Sequence, residues 1–149
     1  MKTLNLIAGL GGAIVLTALH ETLKNVDEEM PRIDLVGEEA LHKTSEFFGV
    51  KISNKNTLYK ATLAGDLMSN AAYFSLIAGN RKDLWTRAAS SGLLAGLGAI
   101  ALPKEMGLND EPVAKSLKTK ALTVGYYMAG AFATAAILSF IDKNRNASV

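Results

Sequence analysis

Charged residues are segregated along this chain. None occurs from Thr3 to Leu19, from Ala88 to Pro103 or from Ala121 to Ile141, and Asp66 alone interrupts the stretch from Ala61 to Asn80. The hydrocarbon core of a bilayer is about 30 Å thick and is crossed by about 20 helical residues. Extended slightly at their ends, the four apolar blocks predict membrane spans over 4–23, 57–79, 84–103 and 120–141. A soluble bundle would carry a charged face at helical spacing, whereas these blocks are apolar on every side. Strands are disfavoured because the blocks are rich in Ala, Leu and Gly, lack strict alternation and would leave unpaired edges in lipid.

The polar region 24–56 has a different periodicity. After Pro31, which suits a first helical turn, Ile33, Val36, Ala40, Leu41, Thr44, Phe47 and Phe48 recur at three-and-four spacing opposite Asp34, Glu38, Glu39, Lys43 and Glu46. This predicts an amphipathic helix over 32–48 that caps one end of the bundle. Its acidic face, with Glu38, Glu39 and Glu46, is a candidate docking surface for a membrane-protein partner. Asn56 or Thr57 is expected to cap the second span. The short turn Asn80-Arg81-Lys82-Asp83 makes spans two and three antiparallel neighbours, Arg87 is expected to snorkel outward, and Pro103 is expected to end span three. The predicted fold is therefore all-α: one integral membrane domain, an antiparallel four-helix bundle with an extra amphipathic helix between spans one and two.

Lys2 followed by an apolar run has the opening of a signal peptide, but no small-x-small pair closes it, so a retained first span is expected. Four spans place both termini and the 80–87 turn on one side. Lys2, Arg81, Lys82, Arg87, Lys143 and Arg145 lie there against Asp83 and Asp142, whereas the opposite loops balance ten basic residues with ten acidic ones. The raw number of basic residues, six against ten, favours the long loops inside, whereas the density of positive charge in the short segments favours the termini, which are expected in the cytoplasm.

Composition narrows the function classes. The formal net charge of +2 is too small to imply nucleic acid, and without cysteine there is no thiol chemistry, no cysteine-ligated zinc and no iron–sulfur cluster. No cofactor is expected. His20-Glu21 lacks the second histidine of a zinc-protease helix, no G-x-S-x-G is present, and the Glu38, His42, Glu46 series reads as a solvated salt-bridged face rather than a metal site.

Two sets of residues carry the remaining signal. Helices in lipid approach through small residues. Gly9, Ala13 and Thr17 in span one, Ala88, Gly92 and Gly96 in span three, and Gly125, Ala129 and Ala133 in span four are the expected packing stripes, serving the bundle itself or a homodimer. The second set is polar. Asp66 shares a helical face with Thr62, Ser69, Asn70 and Tyr73, and Glu21 with its neighbour His20 stands near the end of span one on the same side of the membrane. An intramembrane carboxylate must hold a proton, find a partner or meet water, so this seam is a candidate site unless Asp66 merely clamps a neighbouring helix. The expected role is that of a non-enzymatic accessory, scaffold or assembly subunit in a lipid bilayer. The alternative is a small proton- or cation-coupled transporter built on Asp66.

Overall fold

A computed structural model describes residues 2–147, with side chains as far as Asn144; Arg145, counted above among the basic residues of the terminal side, lies outside the described side chains. The chain is all-helical, with α1 Lys2–Leu23, α2 Ile33–Phe47, α3 Lys55–Ser75, α4 Leu84–Glu105, the single turn α5 Glu111–Ala114 and α6 Leu117–Ala147. Each apolar block thus contributes one long helix, although α3 stops at Ser75, short of the expected 79. Among the described residues, α1 and α6 are long and apolar enough to cross a membrane. The more polar α3 and α4 fall short of that standard.

Local chemistry sets the ends. Asn54, not Asn56 or Thr57, caps α3, accepting hydrogen bonds from the amides of both those residues at 2.9 and 3.1 Å. The cap sits two or three residues earlier because Lys55 and Asn56 are already helical. Helix α2 closes on Gly49 and α4 on Gly107, both left-handed, and Val50 and Leu108 reach back to Ser45 and Pro103 with 2.8 Å hydrogen bonds. This is the glycine-closed end that a left-handed residue permits. Pro103 does not end α4; it is buried inside the last turn.

The long helices pack in the order α3, α1, α6, α4, each antiparallel to its neighbour. Small residues determine that order. A side chain at Gly9 would strike the backbone of Ala71 and Ser75 on α3, and one at Gly12 would strike the Gly130 carbonyl and Thr134 on α6. On α4, a Cβ at Gly92 would lie 2.9 Å from Met128 Cα and one at Gly96 2.7 Å from Val124 Cα. Buried Ala13 and Ala88 continue these contacts. Gly130 faces Phe74, the largest fully buried side chain, and the Gly12 backbone. Gly125 differs from expectation: it is exposed with nothing within 4 Å of its Cβ direction, and Ala129 is only half-buried. The stripe on α6 that meets its neighbours runs instead through Tyr126, Gly130, Ala131 and Thr134.

A second departure is larger. Although joined by a short turn, α3 and α4 scarcely touch. The close-packing face of α3 is spent on α1 and that of α4 on α6, so the two diverge, bridged by a hydrogen bond from Tyr73 Oη to the Ser91 carbonyl at 2.9 Å. Arg87 does not snorkel. Its guanidinium turns back to the carbonyls of Ile77 and Asn80, at 2.8 and 2.9 Å, and satisfies the turn that follows α3.

Helix α2 lies across one end of the bundle, packed on α3 and α5. Gly37 lets it approach, since a Cβ there would lie 2.6 Å from Thr62 Cγ2. Lys43 donates to the Gly107 carbonyl and the Asn109 amide donates to Glu39, at 2.7 and 2.9 Å. The preceding loop is fastened as well: the Arg32 amide donates to the Pro112 carbonyl, and Lys118 pairs with Asp27 at 2.7 Å.

Candidate functional site: an ion cluster beside an acidic groove

The end of α1 and the starts of α2 and α3 converge on a cluster of charges. Arg32 grips Asp34 with two hydrogen bonds, Nε to Oδ1 at 2.9 Å and a terminal nitrogen to Oδ2 at 2.8 Å. Lys24 donates to Glu21 at 2.9 Å, to Tyr59 Oη at 3.1 Å and to Asp34 at 3.4 Å, while Tyr59 donates to Glu21. His20 bridges the two acids, Nδ1 lying 3.3 Å from Glu21 and Nε2 3.4 Å from Asp34. Only separation defines the second contact: Nε2 has no hydrogen-bond alignment with any partner. Two carboxylates meet two permanent cations here, so the cluster is close to neutral and ties three helices together.

Burial by itself would push the Asp34 carboxyl up, but the His20 imidazole and the Arg32 fork hold it well below the usual carboxylate range. Lys24 is the converse case. Burial works against its charge, yet its bonds to Tyr59 and Glu21, with the nearby Asp34 carboxylate, raise it above an ordinary lysine. Sequence periodicity placed Asp34 on the acidic face of α2, opposite the apolar one. In the structure it is the one buried residue of that helix. The available signal was its position: an acid in the first turn, two residues after Arg32, at the place where the chain folds back on α1.

Next to the cluster stands the polar seam of α3. Thr62 is buried with its hydroxyl unpartnered, and it lines a cavity of about 20 Å³ together with His20, Glu21, Asp34, Tyr59 and Asp66. That volume is room for about one water, and the walls supply polar partners for it. Asp66 also faces outward into a much larger space. Between the diverging α3 and α4 lies a groove of about 500 Å³, lined on the α3 side by Asp66, Ser69, Asn70 and Tyr73, on the α4 side by Leu94, Gly98 and Leu102, and closed at one end by Ile33, Val36 and Ala40 of α2. Among the described residues the Asp66 carboxylate has no ion-pair or hydrogen-bond partner. The side-chain bond that links α3 to α4 is the one Tyr73 donates to the Ser91 carbonyl.

Of the residues singled out from sequence, His20, Glu21, Thr62, Asp66 and Asn70 come together around the small cavity, and Tyr73 lies farther along the groove. Glu38, Glu39 and Glu46 lie on a separate face. Glu39 is held by Lys43 at 2.8 Å and by the Asn109 amide, and Glu46 is 3.6 Å from His42. A freely available acidic docking surface is thus reduced by bonds within the chain. Among the described residues no group of three or more His, Asp or Glu side chains is arranged to hold a metal ion.

Compared with family models, curated proteins and solved structures, the chain matches none, so its functional reading rests on these residues and their geometry.

Proposed function

We propose that this is a non-enzymatic, multi-pass membrane protein in which α1, α3, α4 and α6 cross the bilayer, and that it works as a small proton- or cation-coupled carrier through Asp66. Membrane residence is supported by what the helices expose. The apolar windows of α1 and α6 are only 33% and 39% buried, whereas a core helix of a soluble protein would be mostly buried. Leu6, Ile7 and Ile14 on α1, Leu93 and Leu94 on α4 and Phe140 on α6 are each at least 46% exposed, a belt of large apolar side chains that lipid would cover.

The single observation that carries the transport reading is the unpaired carboxylate of Asp66, placed between the groove and the small polar cavity. Each acid of the adjoining cluster has a basic partner; among the described residues Asp66 has none within ion-pair distance. A carboxylate in such surroundings takes a proton or a cation, and exchanging one for the other is the elementary step of coupled transport. His20 stands across the small cavity from Asp66 and is in reach of Glu21, so protons have a polar route toward the end covered by α2.

Proteoliposomes with a trapped pH dye test this. With sodium, potassium or an organic amine supplied as counter-ion, the protein should dissipate an imposed proton gradient and Asp66→Asn should not. Equal rates in the two proteins, or no movement in either, would overturn the carrier reading.

A second reading, that of an accessory or assembly subunit, is favoured by a different observation. Phe47, Phe48 and Val50 at the end of α2 are 85%, 73% and 56% exposed, an aromatic tip with little cover among the described residues. The mass of the protein extracted in mild detergent decides between them: a large defined assembly that Phe48→Ser releases supports the subunit reading, and a bare monomer or dimer removes it.

A further inference from the structure

The groove between α3 and α4 also constrains what can enter it. Among the described residues its walls carry one formal charge, Asp66, and no lysine, arginine or histidine. An anion, or a zwitterion with a phosphate, would bring its negative group beside that carboxylate with nothing to neutralise it. Asp66 stands eleven residues into α3, about 16 Å along the helix, so a phospholipid reaching it would also draw its phosphate away from the headgroup layer. A bare metal ion is equally poorly served. Hard cations require several oxygen ligands at once, and apart from Asp66, Ser69, Asn70 and the two tyrosines the walls are mostly hydrocarbon.

Three features define the remaining class. The volume of about 500 Å³ lies within the range of drug-sized ligand sites. Tyr73 and Tyr127 are on the walls, and aromatic rings attract organic cations. The gap between α3 and α4 gives access from the side, past exposed Leu94, rather than through the end covered by α2. Resting on the carrier reading above, we infer that the groove binds a lipophilic organic monocation, its charged centre against Asp66 and its apolar body against Leu94, Gly98 and Leu102 of α4.

Tetraphenylphosphonium and tetraphenylborate test this, because they share shape and apolar surface and differ in the sign of the charge. Equilibrium binding of each is measured on the full chain in maltoside detergent. Tetraphenylphosphonium should bind saturably, at least about tenfold more weakly to Asp66→Asn, and with most of its affinity retained by Asp66→Glu, while tetraphenylborate shows no saturable binding. Gly98→Leu supplies a second variant. A Cβ at Gly98 meets only Leu102 Cδ1, at 3.6 Å, so a larger side chain is accommodated by the helix and grows into the groove. It should abolish binding while the melting temperature stays near that of the unsubstituted protein. Equal binding of the cation to Asp66→Asn, saturable binding of the borate, or unchanged binding by a folded Gly98→Leu would each overturn the inference. Should tetraphenylphosphonium fail to bind while Asp66-dependent proton movement with sodium or potassium persists, the carrier reading stands and the organic-cation assignment falls; loss of both removes both.

Discussion

Replacing Asp34 by alanine isolates the ion cluster. The side chain is 6% exposed and lies within 3.4 Å of Arg32, Lys24 and His20, so its removal leaves two permanent cations and an imidazole facing an empty site. Breaking a buried ion pair by deleting one partner costs about 3–5 kcal/mol. Two features lower that figure here. The Arg32 side chain is 35% exposed and can turn to water, and Lys24 keeps Glu21 and Tyr59. The expected loss is therefore about 2–3 kcal/mol, a factor of about 30 to 150 in the folding equilibrium. Reversible unfolding in mixed maltoside and dodecyl sulfate micelles measures it. Glu46→Ala, whose carboxylate is 51% exposed and 3.6 Å from His42, is the control and should lie within about 0.5 kcal/mol of the parent. The pH dependence supplies a second reading. Because the folded Asp34 is held below the usual range, its contribution is complete above the unfolded carboxyl value of about 3.9 and is lost as pH falls below it. The parent protein should lose stability on acidification, and Asp34→Ala should lose less over the same interval. An Asp34→Ala protein as stable as the control would show that the cluster does not join the three helices energetically.

Two further outcomes follow from the packing and from the proposed topology. Gly12→Leu should cost at least the upper part of the about 1–3 kcal/mol that overpacking usually exacts, since its side chain would meet the backbone of α6, whereas Gly125→Leu should lie within about 0.5 kcal/mol of the parent; equal effects would refute the α1–α6 contact described here. The chain has no cysteine, so Lys82→Cys and Ser53→Cys each introduce a single thiol. In a four-span protein a membrane-impermeant maleimide added to sealed vesicles labels only one of the two, and labelling of both from the same side would exclude that topology.

The helices themselves were legible in the sequence because the segregation of charge is a one-dimensional property: runs without charge at Thr3–Leu19 and Ala121–Ile141 each became one long helix. The polar seam was legible for a similar reason. Thr62, Asp66, Asn70 and Tyr73 share a helical face whatever lies opposite. What lies opposite was decided by tertiary structure. Whether a glycine meets another helix depends on the rotation of its own helix, so Gly12 and Gly130 form the close contact and Gly125 faces outward. The groove exists because α4 pairs with α6 rather than with α3, a choice made by the fit of Gly92 and Gly96 to Met128 and Val124. Periodicity placed Asp34 on a polar face and was silent on what that face meets; only the fold brings Lys24, Arg32 and His20 to it and makes that acid a buried hub. Asp66 is the reverse case. Its sequence marks it as an acid in an apolar helix, and the fold sets it, among the described residues, without an ion-pair partner between the small cavity and the groove.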